Sequence, residues 1–487
     1  MTTYYTMTLE ILTPVHIGTG EELDSLNYVL RKIGQDAFVF LIDASRWFAD
    51  NAQNPDVANV LKDYNYLELR RILGYARDIE KYARARIPVR TSNLVDLYQE
   101  AMQGRRNENE LRISLLPRNV VGDYPYLPGS SIKGAIRTAV GSVWAHQVTK
   151  TAERMCSDRD RRTQECFPSY NKVIFGRPEC DVFKYLKISD GIVSKDSTEI
   201  VRPEEVSRNP EKTSPAKGYL EVIKGLCSGN QVKIKVRLSI GDFIDKDFKE
   251  KDRQGREFDF AQRKIRSFDL EQLISNLNNF YCPKFEQELE KFYSCSHLSH
   301  VAANLQPVQE KIKQMDSNQA LLRLGHFSHV ECVTWDKVRM PKGKRIGGSN
   351  VYGTTRTLAN GQCPFGWVLL TFEKGYVLED ARYDSVSSIS LEPEPEAVKR
   401  QEPAQKEITP KVDRVEQKLE SLKSRLEAQA FANLVGTLPN IVTQEILNDE
   451  DEEFKELAKK IVISFIQEKG LAKKVKNKNW YQKLIQG

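Results

Sequence analysis

The sequence has no long hydrophobic run, and this absence is the first limit on the class of protein. In 487 residues, no apolar stretch approaches the roughly 20 residues that a membrane-spanning helix needs. The beginning, Met1 to Leu12, alternates polar and apolar residues and lacks the apolar block of a signal peptide. We therefore expect a cytoplasmic protein without a membrane partner.

The sequence also lacks the paired cysteine spacing of a strong zinc site. Its 8 cysteines follow no regular interval, and a reducing cytoplasm would keep them as thiols. Two groups come nearest to a ligand set: Cys282, Cys295, His297 and His300, and then His326, His329 and Cys332. From this spacing we expect no metal and no cofactor. Zinc binding by the first group, Cys282, Cys295, His297 and His300, is the alternative.

A strong excess of one charge is missing as well. The chain has 73 basic and 67 acidic residues, a formal net charge of +6. This balance permits nucleic-acid binding but does not indicate it by itself. Evidence for such binding depends on whether the cations are clustered. Hydrophobic residues make up 40% and charged residues 29%, which is typical of a folded globular protein. The length predicts two or three folded units.

Strand and helix patterns interleave along the chain. Alternating apolar residues predict a strand around Met7, and further strands near 38–42, 185–188, 219–223, 232–240 and 368–372. Helical patterns are predicted after a cap at Asp43, over 66–86, from Ile132 onward and over most of 269–324. This arrangement predicts an α+β fold with large helical insertions rather than a regular βαβ repeat.

Composition divides the chain into three parts. Residues 1–384 carry the mixed pattern, and residues 385–410 form a Pro/Glu-rich linker with few apolar side chains to bury. Residues 411–487 are predicted to form a small all-α domain. Its end is basic, and Trp480 and Tyr481 are candidates for stacking on bases.

The first candidate segment has the sequence YLPGSSIKGAIRTA. After its Pro-Gly turn, Ser130 or Ser131 is predicted to cap a helix, whose N-terminus suits a phosphate. Lys133 and Arg137 share one helix face, and Gly134 between them permits a close approach of another backbone. The pattern fits a sugar-phosphate cradle or an ordinary capped helix with a solvated basic face.

The second candidate segment is a glycine-rich stretch near residues 342–356. Its cations, donors and aromatic ring are suited to phosphates, 2′-hydroxyls and a base. The candidate RNA-binding residues are Lys344, Arg345, Gly347, Gly348, Ser349, Asn350, Tyr352 and Arg356. It is not a Walker loop, because no Gly-Lys-Ser/Thr ending follows a strand. A flexible surface loop is the alternative.

The third candidate segment, LTPVHIGTGEE, follows the first predicted strand. His16, Gly18 and Gly20 are its candidate RNA-binding residues. By itself this glycine pattern is weak, and a lone histidine such as His16 is more often structural than catalytic.

Together, the three segments resemble the RAMP superfamily of CRISPR proteins. The matching stretches are TPVHIGTGE from Thr13, PGSSIKGAIR from Pro128, and the glycine-rich stretch that runs into PFGW at Pro364. FKYLKISD from Phe183 also resembles a strand of this family. In their order along the chain, the matching stretches extend over residues 4 to about 375. The resemblance implies a ferredoxin-like RRM core that holds guide RNA.

Within the superfamily, the pattern is most similar to the guide 3′-end subunit of the type III-A (Csm) complex. The resemblance implies a non-catalytic guide-RNA-binding subunit of an antiviral ribonucleoprotein, which caps the backbone filament near the 3′ end of the guide. The implied partners are guide RNA, target RNA, and the other RAMP backbone and small subunits. The linker and helical tail depart from what we expect of that subunit.

An enzymatic alternative rests on the loop after the first strand. Backbone RAMP subunits of type III complexes cleave target RNA with an acidic residue in this loop. Asp24 is the best-placed candidate here, with Glu21 and Glu22 nearby. We expect no enzyme activity, and target-RNA cleavage by Asp24 is the alternative. The three ordered motifs argue against a general RNA-binding protein without a CRISPR role.

Overall fold

A computed structural model of the chain contains two compact units, Met1–Arg382 and Tyr383–Gly487. The residues that the structure describes are 2–24, 26–63, 65–104, 111–155, 167–176, 178, 181–209, 214–215, 218–241, 249–251, 257–259, 269–335, 338, 344–346, 349–351, 355–375, 419, 422, 438, 442, 446, 452–468, 475 and 478–486. The predicted linker, 385–410, lies outside them.

The first unit contains strands throughout its described length. They are β1 (Thr3–Ile11), β2 (Glu22–Leu23), β3 (Tyr28–Ile33), β4 (Asp36–Ile42), β5 (Ala83–Val89), β6 (Ile113–Ser114), β7 (Tyr126–Leu127), β8 (Leu186–Ile188), β9 (Gly191–Ile192), β10 (Thr198–Val201), β11 (Pro203–Ser207), β12 (Ser214–Pro215), β13 (Tyr219–Ile223), β14 (Lys233–Ile240), β15 (Lys249–Lys251), β16 (Glu257–Asp259), β17 (Gln319–Arg323), β18 (Lys344–Ile346), β19 (Ser349–Val351), β20 (Thr355–Ala359), β21 (Cys363–Pro364) and β22 (Trp367–Lys374).

Helices occur in both units. They are α1 (Ala44–Asn51), α2 (Pro55–Lys62), α3 (Tyr66–Tyr75), α4 (Ser92–Met102), α5 (Gly129–Met155), α6 (Phe167–Phe175), α7 (Leu270–Glu288), α8 (Ser299–Asn304), α9 (Gln306–Lys313), α10 (His329–Val333), α11 (Glu452–Glu468) and α12 (Asn479–Gln486). Within the described residues, no helix combines the length and apolar character that a membrane span requires.

A five-stranded antiparallel sheet forms the centre of the first unit. Its strand order is β17-β22-β1-β14-β8, so the first strand pairs with β14 on one side and β22 on the other. Met7 and Leu9 face Val236 and Ile234 on β14, and these residues are buried. Helices α5 and α7 cover this apolar face, where the Tyr281 hydroxyl donates to the Ala135 carbonyl at 3.1 Å.

A seven-stranded sheet in the order β2-β6-β13-β10-β5-β4-β3 carries apolar residues on both faces. In β4, Val39 and Leu41 pack into one cluster, while Phe40 and Ile42 pack into another with Trp47 of α1. A strand buried on both faces has a nearly continuous apolar sequence. This explains why the apolar run at 38–42 predicted β4 from the sequence.

A smaller sheet in the order β12-β11-β20-β21 lies beside a disulfide. Cys227 and Cys363 are joined, with their Cα atoms 6.5 Å apart. The expectation that all eight cysteines remain thiols is therefore wrong for this pair. Two residues before Cys227, Gly225 lies against the backbone of Thr13, where an added Cβ would be 2.7 Å from the Thr13 Cα.

Most of the predicted elements are confirmed, with one clear exception. Helix α1 begins after Asp43, whose carboxylate accepts the Arg46 N–H at 3.1 Å. The predicted helix over 66–86 is wrong in its second half. The chain leaves α3 at Ala76 and enters β5, because pairing with β4 and β10 outweighs the helical pattern of the segment.

The described residues of the second unit are helical and share an apolar cluster. Phe454, Val462 and Phe465 of α11 contribute to it, together with Tyr481 and Leu484 of α12. Tyr481 is only 7% exposed, so the idea that its ring is available to stack on bases is wrong.

Candidate nucleic-acid interface

Helix α5 begins directly against the turn that follows β8. A Cβ on Gly129 would overlap the carbonyl oxygens of Ile188 and Ser189, so glycine is required at this contact. The Gly129 N–H donates to Oδ1 of Asp190 at 2.7 Å. The predicted serine cap is therefore wrong: the helix begins before Ser130, and a carboxylate from another element satisfies its first N–H.

This carboxylate changes what the helix start offers to a phosphate. Asp190 already supplies the negative charge that a helix N-terminus favours. Ser130 is exposed and Ser131 is half-buried in the first turn. We expect any phosphate contact here to come from side chains beside the turn.

Arg137 connects α5 to two neighbouring elements. Its Nη1 lies 2.7 Å from Oδ2 of Asp181, just before β8, and its guanidinium lies 3.9 Å from the ring centroid of Phe175 on α6. Its Nη2 also lies 3.4 Å from Oδ1 of Asn171. Because these partners occupy the guanidinium, Arg137 holds together the elements around the helix start.

Lys133 lies at the edge of the five-stranded sheet. Burial lowers its pKa, and the positive charges of Arg137 and Lys187 act in the same direction, against the carboxylate of Asp181. Lys187, whose charge acts on Lys133, lies on edge strand β8. The neighbouring Gly134 is exposed, and an added Cβ would meet nothing within 4 Å. This part of the helix surface is open.

A groove of about 460 Å³ lies along β8 and β14, next to Lys187. Its lining includes two tyrosines and three cations: Tyr4, Tyr185, Lys184, Lys187 and Arg237. Tyr4, Lys187 and Arg237 were not predicted as binding candidates from the sequence. The alternating cations of β14 were visible in the sequence, but only the pairing of β14 with β1 and β8 brings the three residues together.

His16 lies inside the protein rather than at this groove. It is 2% exposed, and its Nδ1 donates to the Glu221 carbonyl oxygen at 2.7 Å. Burial lowers its pKa to about 4, so the ring is neutral at neutral pH. Gly18 and Gly20 are exposed, and the space beside Gly18 is limited by Nε2 of His16, 3.2 Å from an added Cβ.

The glycine-rich segment is described in part. Lys344 and Arg345 lie on β18, and Ser349 and Asn350 lie on β19. The two strands pair antiparallel, with Arg345 opposite Asn350. Three predicted residues lie outside the described residues: Gly347, Gly348 and Tyr352.

Arg356, the last predicted residue of that segment, is buried in an ion-pair cluster. It is 4% exposed, with Nε 2.9 Å from Oε1 of Glu288 and Nη2 3.0 Å from Oε1 of Glu331. Arg323 binds the other oxygen of Glu288 at 2.6 Å, and Trp367 donates to it at 3.1 Å. The guanidinium of Arg356 is therefore buried in the protein interior, where it pairs with Glu288, a residue far away in the sequence.

The candidate cleavage residue, Asp24, takes part in a local turn. Its Oδ1 accepts the Leu26 N–H at 2.8 Å and the Asn27 side-chain amide at 3.0 Å. Such a side chain-to-backbone bond two residues on is typical of aspartate in turns.

The groups considered for zinc form no ligand cluster in the part of the chain that the structure describes, where no three His, Cys, Asp or Glu side chains converge. His297 and His300 instead bond to the carbonyl oxygens of Ser207 and Gly361, at 3.0 and 2.9 Å.

A family model matches the part of the chain that contains the first and third candidate segments, YLPGSSIKGAIRTA and LTPVHIGTGEE. The model of the RAMP superfamily covers residues 8–297, more than half of the chain. The chain belongs to the RAMP superfamily. This confirms the superfamily that the three motifs predicted, and the match contains the end of β1, the start of α5, β8 and β14.

The RAMP-superfamily chain has a relative in Methanocaldococcus jannaschii, described as the CRISPR system Cms protein Csm5. The two are 29% identical over 192 residues, which is 38% of this chain. The match spans about two fifths of the relative's length, 41%.

A solved structure shares the fold. A chain of the Csm-crRNA-target RNA ternary complex of a type III-A CRISPR-Cas system matches with a TM-score of 0.53 and 20% identity. The match covers 77% of this chain and 100% of that chain. The crystal structure of T. onnurineus Csm5 matches with a TM-score of 0.47 and 19% identity, over 74% of this chain and 99% of that chain.

Proposed function

We propose that this RAMP-superfamily protein is a guide-RNA-binding subunit of a type III CRISPR ribonucleoprotein, and that it caps the backbone filament near the 3′ end of the guide. The basic groove at the edge of the five-stranded sheet carries the RNA-binding part of this proposal. Lys187 of β8 lines this groove, and Lys133 of α5 lies next to the exposed Gly134 on the neighbouring helix surface. The Csm5 relative supports the assignment to a type III complex.

The proposed core is ferredoxin-like. In a βαββαβ unit of this class, two helices cover one face of an antiparallel sheet. Strands β1, β8, β14 and β22, with helices α5 and α7, supply these parts, and β17 extends the sheet beyond β22. In this arrangement β8 is an edge strand, which places Lys187 where an extended ligand can reach it.

The subunit is proposed to be non-catalytic. The carboxylate of Asp24 accepts two hydrogen bonds within its own turn, which supports a role in shaping the loop. The proposed partners are guide RNA, target RNA, and the RAMP backbone and small subunits of the complex, with the helical unit contacting a neighbouring subunit or RNA.

The test replaces both Lys133 and Lys187 with alanine. Affinity for single-stranded RNA, measured by fluorescence anisotropy, should fall similarly for unrelated sequences. The slope of log affinity against log salt should decrease by about 0.7 for each phosphate that the variant no longer neutralises. In a reconstituted complex, the variant should leave the 3′ end of the guide open to a 3′ exonuclease, while the wild type protects it.

The matched control replaces Lys32 and Lys62, two exposed lysines on β3 and α2. This variant should keep the wild-type affinity, salt slope and exonuclease protection. If the Lys133 and Lys187 variant behaves as this control does, the groove does not hold RNA and the proposal fails.

A further inference from the structure

The two faces of the five-stranded sheet differ in chemistry. Residues such as Met7 and Val236 point to the buried face under α5 and α7. The alternate residues of β14, namely Lys233, Lys235 and Arg237, are exposed on the opposite face. Because successive side chains of a strand alternate between faces, these cations lie in one row about 6.6 Å apart.

Strand pairing sets this row beside an aromatic side chain. Lys187 of β8 lies opposite Ser239 of β14, and Ser239 lies opposite Tyr4 of β1. Arg237 is the next residue of the row and lies opposite Thr6. Tyr4 is therefore diagonal to Arg237 and two strands away from Lys187 in the register of the sheet.

Tyr4 is the more exposed of the two tyrosines that line the basic groove. It is 48% exposed, whereas Tyr185 is half-buried. An exposed aromatic ring flanked by cations is the arrangement that binds single-stranded nucleic acids, because the ring stacks on a base and the cations neutralise adjacent phosphates.

Carboxylates limit this surface on its other sides. Glu10, at the far end of β1, is held by Lys311 at 2.6 Å and by Lys233 at 3.9 Å. Glu373 of β22 lies opposite Thr6. The exposed carboxylate of Glu373 disfavours a polyanion beside it, and Lys233 and Lys311 are already paired with Glu10. The surface suited to a polyanion is therefore confined to β8, β14 and the beginning of β1.

We propose that a segment of unpaired, single-stranded RNA crosses this part of the sheet, with a base stacked on Tyr4 and its phosphates beside Lys187 and Arg237. The inference rests on the proposed function and specifies the ligand of its groove. A base inside a duplex is already stacked on its neighbours and cannot present its face to Tyr4. The surface therefore selects single strands over duplexes.

The experiment uses the full chain and a single-stranded RNA that carries 2-aminopurine, alone or annealed to its complement. The variants are Tyr4→Ala, Tyr4→Phe and the pair Lys187→Ala with Arg237→Ala. The matched control is Tyr75→Ala, which removes a 75% exposed tyrosine on α3. Thermal unfolding of each variant checks that the fold is intact, and Tyr4→Phe keeps the ring while removing only its hydroxyl.

Tyr4→Ala should weaken single-strand binding about fivefold or more and abolish the quenching of 2-aminopurine fluorescence. Tyr4→Phe and Tyr75→Ala should both behave as the wild type does. The paired lysine and arginine variant should lower the salt slope by about 1.4, and the duplex should bind more weakly than the single strand.

Three results would overturn the inference. If the wild type binds RNA and Tyr4→Ala keeps its affinity and quenching, the sheet face is not used and the proposed function stands. If the duplex binds as tightly as the single strand, the cations attract phosphate without base stacking. If the wild-type chain binds neither form, the inference and the proposed function both fail.

Discussion

At the scale of single residues, the carboxylate of Glu288 lies between the guanidinium groups of Arg323 and Arg356 inside the first unit. Burial alone would raise its pKa, but the two positive charges outweigh burial and lower the pKa to about 2. Removing one member of a buried, hydrogen-bonded ion pair leaves the remaining charges uncompensated, and this costs about 3–5 kcal/mol.

We predict that Glu288→Gln lowers the free energy of unfolding by about 3–5 kcal/mol at neutral pH, measured by urea denaturation. The native pKa lies below the ordinary value of 4.5, so the carboxylate stabilises the fold above pH 4.5. Its contribution is lost as the pH falls from 4.5 towards 2. The difference between variant and wild type should therefore narrow over this range.

Glu286→Gln is the matched control for this prediction. Glu286 lies on the same helix, α7, and is exposed. Its replacement should change the unfolding free energy by less than about 0.5 kcal/mol. Equal effects of the two variants would show that the cluster around Glu288 does not stabilise the protein as described.

The same cluster shows why site residues were harder to predict than elements. Local sequence marks Arg356 as one of several cations near glycines, but the residue bonds to Glu288, which no local pattern connects to it. His16 is comparable, because its partner is the carbonyl of Glu221 on β13. Burial that depends on distant segments leaves no periodic signal in the sequence.

At the scale of elements, the start of α5 and the turn after β8 form one contact. Gly129→Ala would place a methyl group against the carbonyl oxygens of Ile188 and Ser189. We predict a loss of about 1–3 kcal/mol, from crowding and a weakened bond to Asp190, measured as a lower midpoint of thermal unfolding.

Gly134→Ala, five residues further along the same helix, is the matched control. Its added Cβ meets open space, and alanine is the better helix former, so the variant should gain about 0.5–1 kcal/mol. Midpoints that shift in the same direction for both glycines would contradict the contact described for Gly129.

Element prediction succeeded where one periodic pattern extends over a whole strand or helix. The alternation around Met7 predicted β1, and the apolar spacing from Ile132 predicted the helix that is α5. It failed in the second half of 66–86, where a charged, helix-like sequence continues into β5. There, two strands distant in sequence pair with the segment and determine its conformation.

At the scale of the whole molecule, the chain contains two compact units, and the second has its own apolar cluster around Phe454 and Tyr481. We predict that a chain ending at residue 382 folds and binds single-stranded RNA within about twofold of the full-length affinity. Circular dichroism and fluorescence anisotropy measure the two properties. An insoluble truncated chain would show that the second unit contributes to the interior of the first.

The position of β1 in the middle of its sheet has a consequence for biosynthesis. The strand is synthesised long before one of its two neighbours, β22, which ends at Lys374. At typical elongation rates of about 5–20 residues per second, β1 waits about 20–70 s for this neighbour. Throughout that interval its hydrogen-bonding edge is open to other nascent chains, so the yield of native protein should depend on chaperone supply and translation speed.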